Sequence, residues 1–148
     1  MSRVTNYLAE LECFHCGKIC AKDDNSMQTY IYQDVKCPPV GIGDRLEIDV
    51  SKMRGSNYLA VQTPSDPTRI LEEWNCSSCG AYGNWAVVTI LHGVIVDIAS
   101  VPRRRATIRN VHFAYYECKF LATTLANVSP VDVADDQAID LLLQHLSE

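Results

Sequence analysis

The sequence contains the pattern Cys-x-x-Cys-Gly twice, at Cys13 to Gly17 and at Cys76 to Gly80. Zinc held by four thiolates needs a tetrahedron of sulfur atoms about 2.3 Å from the metal, and two short hairpins brought together supply it. About sixty residues separate the two pairs, which is too long for a compact zinc finger. We therefore predict a β-domain in which two distant hairpins meet at one structural Zn²⁺, bound by Cys13, Cys16, Cys76 and Cys79.

Four thiolates fill the coordination shell of zinc, so neither water nor substrate has a position on the metal. We therefore expect the metal to stabilise the fold rather than to catalyse a reaction. A thioredoxin-type redox pair is an alternative, but it uses a single motif between a strand and a helix. Here there are two motifs, each followed by strand-like sequence. His15, inside the first motif, is an alternative ligand that we expect on the surface.

The other three of the seven cysteines are Cys20, Cys37 and Cys118. Cys20 follows the first pair closely enough to compete for the metal, but its spacing from Cys16 is less regular for a zinc-binding turn. We expect all three to be buried or spare thiols. Because no secretory signal is evident, this cysteine content favours a reducing compartment and a cytoplasmic protein.

The length and charge of the chain limit the number of domains and the kinds of binding partner. A chain of 148 residues with 47% hydrophobic and 21% charged residues suits one compact domain. The sequence has no apolar run of about eighteen residues, so we expect no membrane partner. The formal net charge of −5 repels a phosphate backbone, which makes nucleic acid a less favoured partner than another protein.

The spacing of apolar residues predicts mainly antiparallel β-sheets with a helix at the C-terminus. Leu46, Ile48 and Val50 alternate with acidic residues, as in a strand with one wet face. Residues 85–101 are almost entirely β-branched or aliphatic except around Gly93, which predicts a hairpin with a positive φ at that glycine. Residues 111–121 suit a further strand, although a helix there is also compatible with the pattern.

The last twenty residues differ in character. Ser129 and Pro130 resemble an N-cap followed by proline in the first helical turn, and Asp132 complements the helix dipole. Apolar residues then recur at helical spacing, at Ile139, Leu142, Leu143 and Leu146. We predict a zinc-binding β-domain over residues 1–128 and an amphipathic helix over residues 129–148 that packs on the same domain.

The second cysteine pair carries a resemblance to a known group. The stretch Cys76-Ser-Ser-Cys-Gly-Ala-Tyr-Gly-Asn-Trp85 is similar to the second zinc-binding turn of the β-tent superfamily. That superfamily includes a Rab-binding chaperone, the type B methionine sulfoxide reductases, the drug-binding domain of cereblon and the RNA-end-binding domain of a viral-RNA sensor. The resemblance implies two antiparallel sheets that meet at an angle, with zinc at the apex.

The resemblance also suggests sites to look for, because this layout hosts several unrelated functions. A reductase would need a reactive cysteine downstream, and Cys118 is the nearest candidate, although it lacks the basic neighbour expected in that motif. A small-ligand pocket would need an aromatic box, for which Trp74 and Trp85 are candidates that Tyr82, Tyr115 or Tyr116 would complete. Packing in the core is the commoner use of such rings.

Four arginines lie within seven residues of this acidic chain, at Arg103, Arg104, Arg105 and Arg109. This segment suits either a solvated loop or a contact for a phosphate or an acidic surface. The sequence shows no nucleophile elbow, phosphate loop or paired-carboxylate motif. We therefore expect a non-enzymatic, zinc-stabilised protein-binding module, such as an immunity, antitoxin-like or adaptor protein, whose partner has a basic surface. The alternatives are a nucleic-acid-binding protein that uses Arg103–Arg109 and an enzyme like the sulfoxide reductases.

Overall fold

The computed structural model describes residues 5–29, 38–46, 58–61, 67–81, 83–108, 111–134 and 137–146. These ranges contain ten strands, two α-helices and two 3-10 turns, and they confirm a mainly β fold with a C-terminal helix. The strands are β1 Thr5–Leu8, β2 Leu11–Glu12, β3 Ile19–Cys20, β4 Gln28–Thr29, β5 Val40–Gly41, β6 Tyr58–Val61, β7 Thr68–Trp74, β8 Asn84–Leu91, β9 Val94–Val101 and β10 Val111–Ala114. The helices are α1 Tyr115–Ala126 and α2 Ala138–His145, and the 3-10 turns are Arg105–Thr107 and Pro130–Asp132.

A five-stranded sheet in the order β6-β10-β7-β8-β9 forms the largest layer. Its strands β8 and β9 make the predicted hairpin, and the connection consists of His92 at φ 52° and Gly93 at φ 76°. Two successive left-handed residues suit the twist of a tight hairpin, and glycine adopts this conformation without steric cost. The predicted positive φ at Gly93 is therefore confirmed.

Two smaller sheets, β4-β1-β5 and β2-β3, come from the first part of the chain. Most strand pairs are antiparallel, as predicted, whereas β1 with β5 and β10 with β7 are parallel. Parallel neighbours need a long crossover connection, which local alternation of apolar residues does not reveal. Leu46, the first of the alternating apolar residues, is fully buried, and its N–H donates to the Gly93 carbonyl at 2.9 Å. Ile48 and Val50 lie outside the described residues.

Buried polar contacts join the smaller sheets to β7. The Tyr7 hydroxyl of β1 donates to Glu72 Oε2 at 2.9 Å, and both side chains are buried. The amide of buried Asn25 donates to the Ala9 carbonyl at 2.9 Å, while its backbone carbonyl accepts the N–H of Asn75 at 3.0 Å. Because buried polar groups are costly when unpaired, these bonds fix where the N-terminal sheets meet the end of β7.

The chain changes from strand to helix where the sequence left both readings open. Residues 111–114 form β10, and α1 follows without a break at Tyr115. In α1, Cys118, Leu121 and Ala122 are buried and recur at helical spacing. The strand prediction therefore holds for the first four residues of 111–121, and the helical alternative holds for the rest.

The terminal helix begins later than the capping signature predicted. Pro130 starts a 3-10 turn, for which Ser129 makes no side-chain cap, and the extended backbone of Val133 ends it. Helix α2 then begins at Ala138 and packs on α1, with Ala138 and Leu142 buried. The signature at Ser129 and Pro130 thus marks a separate turn, whereas the apolar spacing of 139–146 locates the helix.

Adjacent leucines of α2 provide a test of this placement. Leu142 is fully buried and Leu143 is only partly buried. We expect Leu142→Ala to lower the free energy of unfolding by about 2–5 kcal/mol, because it leaves a cavity between the helices. Leu143→Ala should cost roughly 1 kcal/mol or less, because its side chain loses little buried area. Urea unfolding measures both, and equal losses would contradict the burial of this face of α2.

Candidate metal centre

Each cysteine pair lies at the tip of a hairpin. The first pair connects β2 to β3, whose register pairs Leu11 with Cys20. The second pair lies between β7 and β8, where Trp74 pairs with Asn84. Each pair is therefore presented by its own hairpin, and contacts between the hairpins' surroundings, such as the Asn75 N–H that donates to the Asn25 carbonyl at 3.0 Å, join the two segments.

The first tip has a defined backbone structure. The N–H of Gly17 donates to the Cys13 carbonyl at 2.7 Å, and the N–H of Cys13 donates to the Lys18 carbonyl at 2.9 Å. These two bonds close a tight turn around the sulfur of Cys13. These backbone bonds define the turn that presents Cys13 and Cys16.

The second tip repeats this pattern at the same offsets. The N–H of Gly80 donates to the Cys76 carbonyl at 3.0 Å, and the N–H of Cys76 donates to the Ala81 carbonyl at 2.8 Å. Gly17 and Gly80 have φ values of 78° and 75°, with nothing within 4 Å of an added Cβ. The requirement for glycine therefore comes from the left-handed backbone rather than from lack of space.

The four predicted ligands come together at these tips. All four sulfur atoms lie within 4.8 Å of one another. The sulfurs of Cys13 and Cys79 are 3.8 Å apart, as are those of Cys16 and Cys76. Four sulfurs at 2.3 Å from a tetrahedral zinc would be separated by about 3.8 Å. The spacing of the cluster therefore fits a zinc ion bound by Cys13, Cys16, Cys76 and Cys79.

The thiols of the second pair differ in how readily they ionise. The backbone N–H of Cys79 is the main cause that lowers the pKa of Cys76 to about 6, against the opposing effect of burial. The Ala81 N–H, 3.4 Å from the Cys79 sulfur, favours the thiolate of Cys79. Burial and the neighbouring sulfurs outweigh it and raise the pKa of Cys79 to about 12. Closely packed thiols cannot all ionise without a cation, so a metal must displace a proton from Cys79.

This difference predicts how zinc affinity depends on pH. Between the two pKa values Cys76 is already a thiolate and Cys79 is protonated, so metal binding releases one proton from this pair. Below a pH of about 6 both carry protons and two are released, so affinity should fall more steeply there. We therefore expect the zinc affinity to fall as the pH falls, and to fall more steeply below a pH of about 6, where this pair releases one further proton.

Competition with a chromophoric chelator, with the chelator's own protonation corrected, measures these slopes. An affinity that does not change with pH would contradict a site made of thiols that must lose protons.

The two tryptophans suggested for a binding pocket are packed in the core. Trp74 and Trp85 are each 1% exposed, and Trp74 Nε1 donates to the Trp85 carbonyl at 3.3 Å. The Trp85 ring makes an edge-to-face contact with Phe113, with ring centroids 5.4 Å apart. These contacts show packing. Tyr82 and the side chains of Tyr115 and Tyr116, the other candidates for the box, lie outside the described part of the structure.

A cavity of about 500 Å³ adjoins the cysteine cluster. Trp85 is one of its lining residues, and within the described part of the chain Trp85 Nε1 has no hydrogen-bond partner. Phe14, at 57% exposure, and His15 contribute to the rim. The complete lining is Phe14, His15, Cys79, Gly80, Ala81, Asn84, Trp85, Val101, Pro102 and Arg103.

The arginine segment divides between surface and structural roles. Arg103 and Arg104 are exposed, and Arg103 Nη1 makes a long contact of 3.4 Å to the Gly83 carbonyl. Arg105 donates through Nη2 to the Leu146 carbonyl at 3.2 Å, which ties the 3-10 turn to the end of α2. Arg109 lies outside the described residues.

Two of the three remaining cysteines are described, and both are buried. Cys118 lies in α1, rather than on a strand as in the reductase motif. The sulfur of Cys20 lies 3.5 Å from that of Cys76, which joins it to the metal centre without making it one of the four clustered ligands. Its close spacing after Cys16 was the available sequence signal for this proximity. Cys37 lies outside the described residues.

Searches against protein-family models, curated proteins and solved structures find no match to this chain. Neither helix in the described part of the chain has the length and apolar character needed to cross a membrane. The four-cysteine cluster is therefore the feature on which a functional interpretation rests.

Proposed function

We propose that this chain is a zinc-stabilised, non-enzymatic protein-binding module. The observation that carries the proposal is the four-sulfur cluster, in which Cys13, Cys16, Cys76 and Cys79 supply a complete tetrahedral set. A complete set of protein ligands holds the metal as a structural element, because no coordination position is left for a substrate. The β-tent resemblance of the second tip agrees with this role for the metal.

The geometry around Cys118 gives little support to the reductase alternative. This thiol is fully buried on α1. A nucleophilic cysteine that attacks a sulfoxide must be accessible to its substrate. Because zinc is held by thiolates that must stay reduced, the proposed site suits a reducing compartment, and a cytoplasmic location is part of the proposal.

Helices α1 and α2 and the 3-10 turn Pro130–Asp132, together called the helical layer, offer a surface for a partner. Phe120 on α1 is 65% exposed, and Val131 in the 3-10 turn that packs against α1 is 89% exposed. Asp132 beside Val131 and Asp140 on α2 are also exposed. Exposed apolar side chains bordered by acidic groups are typical of protein interaction sites.

The charge of the chain indicates the kind of partner. With a net charge of −5, the protein would be attracted to a basic surface and repelled by an acidic one. Immunity proteins, antitoxins and adaptors that cover a basic target share this electrostatic arrangement, and charge attraction would speed their association. The partner we propose is therefore a protein with a basic surface, which contacts the helical layer.

Affinity capture with charge-reversal variants tests this proposal. We expect the tagged protein to retain a stoichiometric basic partner from an extract of its own cells. Asp132→Lys with Asp140→Lys should reduce capture by about tenfold or more, because like charges would then face each other. The matched control, Glu12→Lys with Asp97→Lys, changes the net charge equally on exposed strand positions and should retain the partner.

A protein that is recovered alone would contradict the binding role. Equal loss of capture in both double variants would instead contradict the assignment of the helical layer.

A second candidate function is nucleic-acid binding at the cavity beside the metal centre. Arg103 and the exposed ring of Phe14 both line this cavity, and Arg104 is exposed next to it in sequence. Arginine with an exposed aromatic ring is a combination that binds single strands by charge and stacking. Retention on RNA or DNA that falls steeply with salt, and that Arg103→Ala with Arg104→Ala removes, would favour this function over the first.

A further inference from the structure

The thiol of Cys20 contacts the metal centre although Cys20 is not among the four clustered ligands. Cys20 lies on β3, opposite Leu11 of β2, and is 3% exposed. Its sulfur is 3.5 Å from the sulfur of Cys76, with Cys20 as the donor. This contact is shorter than the 3.8 Å that separates paired sulfurs within the cluster. Cys20 therefore touches the cluster at one ligand only.

Ser77 completes a short chain of donors. Its hydroxyl lies 3.9 Å from the Cys20 sulfur and donates to it. The order of donation is thus Ser77 hydroxyl to Cys20 thiol to Cys76 sulfur. Hydrogen bonds in such a chain polarise one another, so the outer donor strengthens the inner one.

This series of hydrogen-bond donors would stabilise the charge of a four-thiolate zinc site. Four thiolates around Zn²⁺ leave a net charge of about −2, and donors to the sulfurs disperse it. Cys79 has a backbone donor of this kind in the N–H of Ala81 at 3.4 Å. The Cys76 sulfur accepts from the backbone N–H of Cys79 and, at 3.5 Å, also from the thiol of Cys20. Both sulfurs of the second tip therefore have a donor outside the coordination shell.

We propose that Cys20 is a positioning residue of the metal centre: its thiol, supported by Ser77, donates a hydrogen bond to the Cys76 thiolate and strengthens zinc binding without coordinating the ion. This inference rests on the proposed zinc site and extends it to a fifth cysteine. It assigns a role to the cysteine whose spacing had made it a competitor for the metal.

Substitutions at Cys20 separate donation from packing. Cys20→Ser keeps a small donor, and Cys20→Ala removes it. We expect Cys20→Ala to weaken zinc binding by ~10–100-fold, as is typical when a partner outside the coordination shell is lost. Cys20→Ser should remain within about threefold of the unchanged protein, and Ser77→Ala, on the surface, should weaken binding by only a few-fold. Competition with a chromophoric chelator measures these affinities in the full chain.

Cobalt supplies a second readout that a merely structural role would not change. Co²⁺ bound by four thiolates has a sulfur-to-metal charge-transfer band, and a hydrogen bond to one sulfur lowers the energy of its lone pair. We expect this band to move to longer wavelength in Cys20→Ala and to stay in place in Cys20→Ser. The intensity of the charge-transfer band should remain that of four thiolates in both Cys20 variants. Cys118→Ala, a change at a buried thiol on α1, is the matched control and should alter neither affinity nor spectrum.

Several results would overturn the inference. One is a Cys20→Ala protein that binds zinc within about twofold of the unchanged protein. A second is a Cys20→Ser protein as weak as Cys20→Ala, because the retained donor would then have no effect. A third is loss of about a quarter of the charge-transfer intensity in Cys20→Ala, which would make Cys20 a ligand. Absence of metal binding in the unchanged protein would instead remove the zinc proposal itself, so the two failures are distinguishable.

Discussion

The packing of four cysteine sulfurs at the meeting point of two hairpin tips is the constraint on which the arrangement of the sheets depends. Cys13 and Cys16 come from the turn of the small β2-β3 sheet, and Cys76 and Cys79 come from the connection between β7 and β8, two interior strands of the large sheet. Without a cation, sulfurs this close together cannot all be ionised, so the four thiols compete for protons. A divalent ion relieves this competition, so its binding free energy adds directly to the stability of the folded chain.

Other contacts at the same junction do not require a metal. The Tyr7 hydroxyl bonds to the buried carboxylate of Glu72, and Asn25 links the N-terminal segment to Asn75 beside the second tip. Trp74 and Trp85 pack beneath that tip, at the paired ends of β7 and β8. These contacts therefore act at the same junction as the sulfur cluster and help to fix where the two tips meet.

The features that the sequence predicted well are those encoded over a few residues. The two Cys-x-x-Cys-Gly patterns predicted which four cysteines lie together, and their glycines, Gly17 and Gly80, have the left-handed backbone that such tight turns use. The continuous apolar run interrupted at Gly93 predicted the hairpin of β8 and β9. In each case the residue types in the turn and the apolar pattern of the adjoining strands indicated the same structure.

The features that the sequence did not predict depend on distant parts of the chain. The parallel pairing of β10 with β7 follows a long connection, and the change to helix at Tyr115 depends on what α1 packs against. The contact between Cys20 and Cys76 joins residues 56 positions apart, so local spacing revealed only that Cys20 was near the first pair. The capping signature at Ser129 was a correct sign of a turn, but it lay before a 3-10 turn rather than α2.

X-ray absorption at the zinc K edge of the purified, metal-loaded protein tests the central claim most directly, because it reports the ligand atoms themselves. We predict four sulfur neighbours at about 2.3 Å and no nitrogen neighbour in the first shell. A nitrogen neighbour at about 2.0–2.1 Å, which would place His15 in the shell, or fewer than four sulfurs, would contradict a centre made by Cys13, Cys16, Cys76 and Cys79.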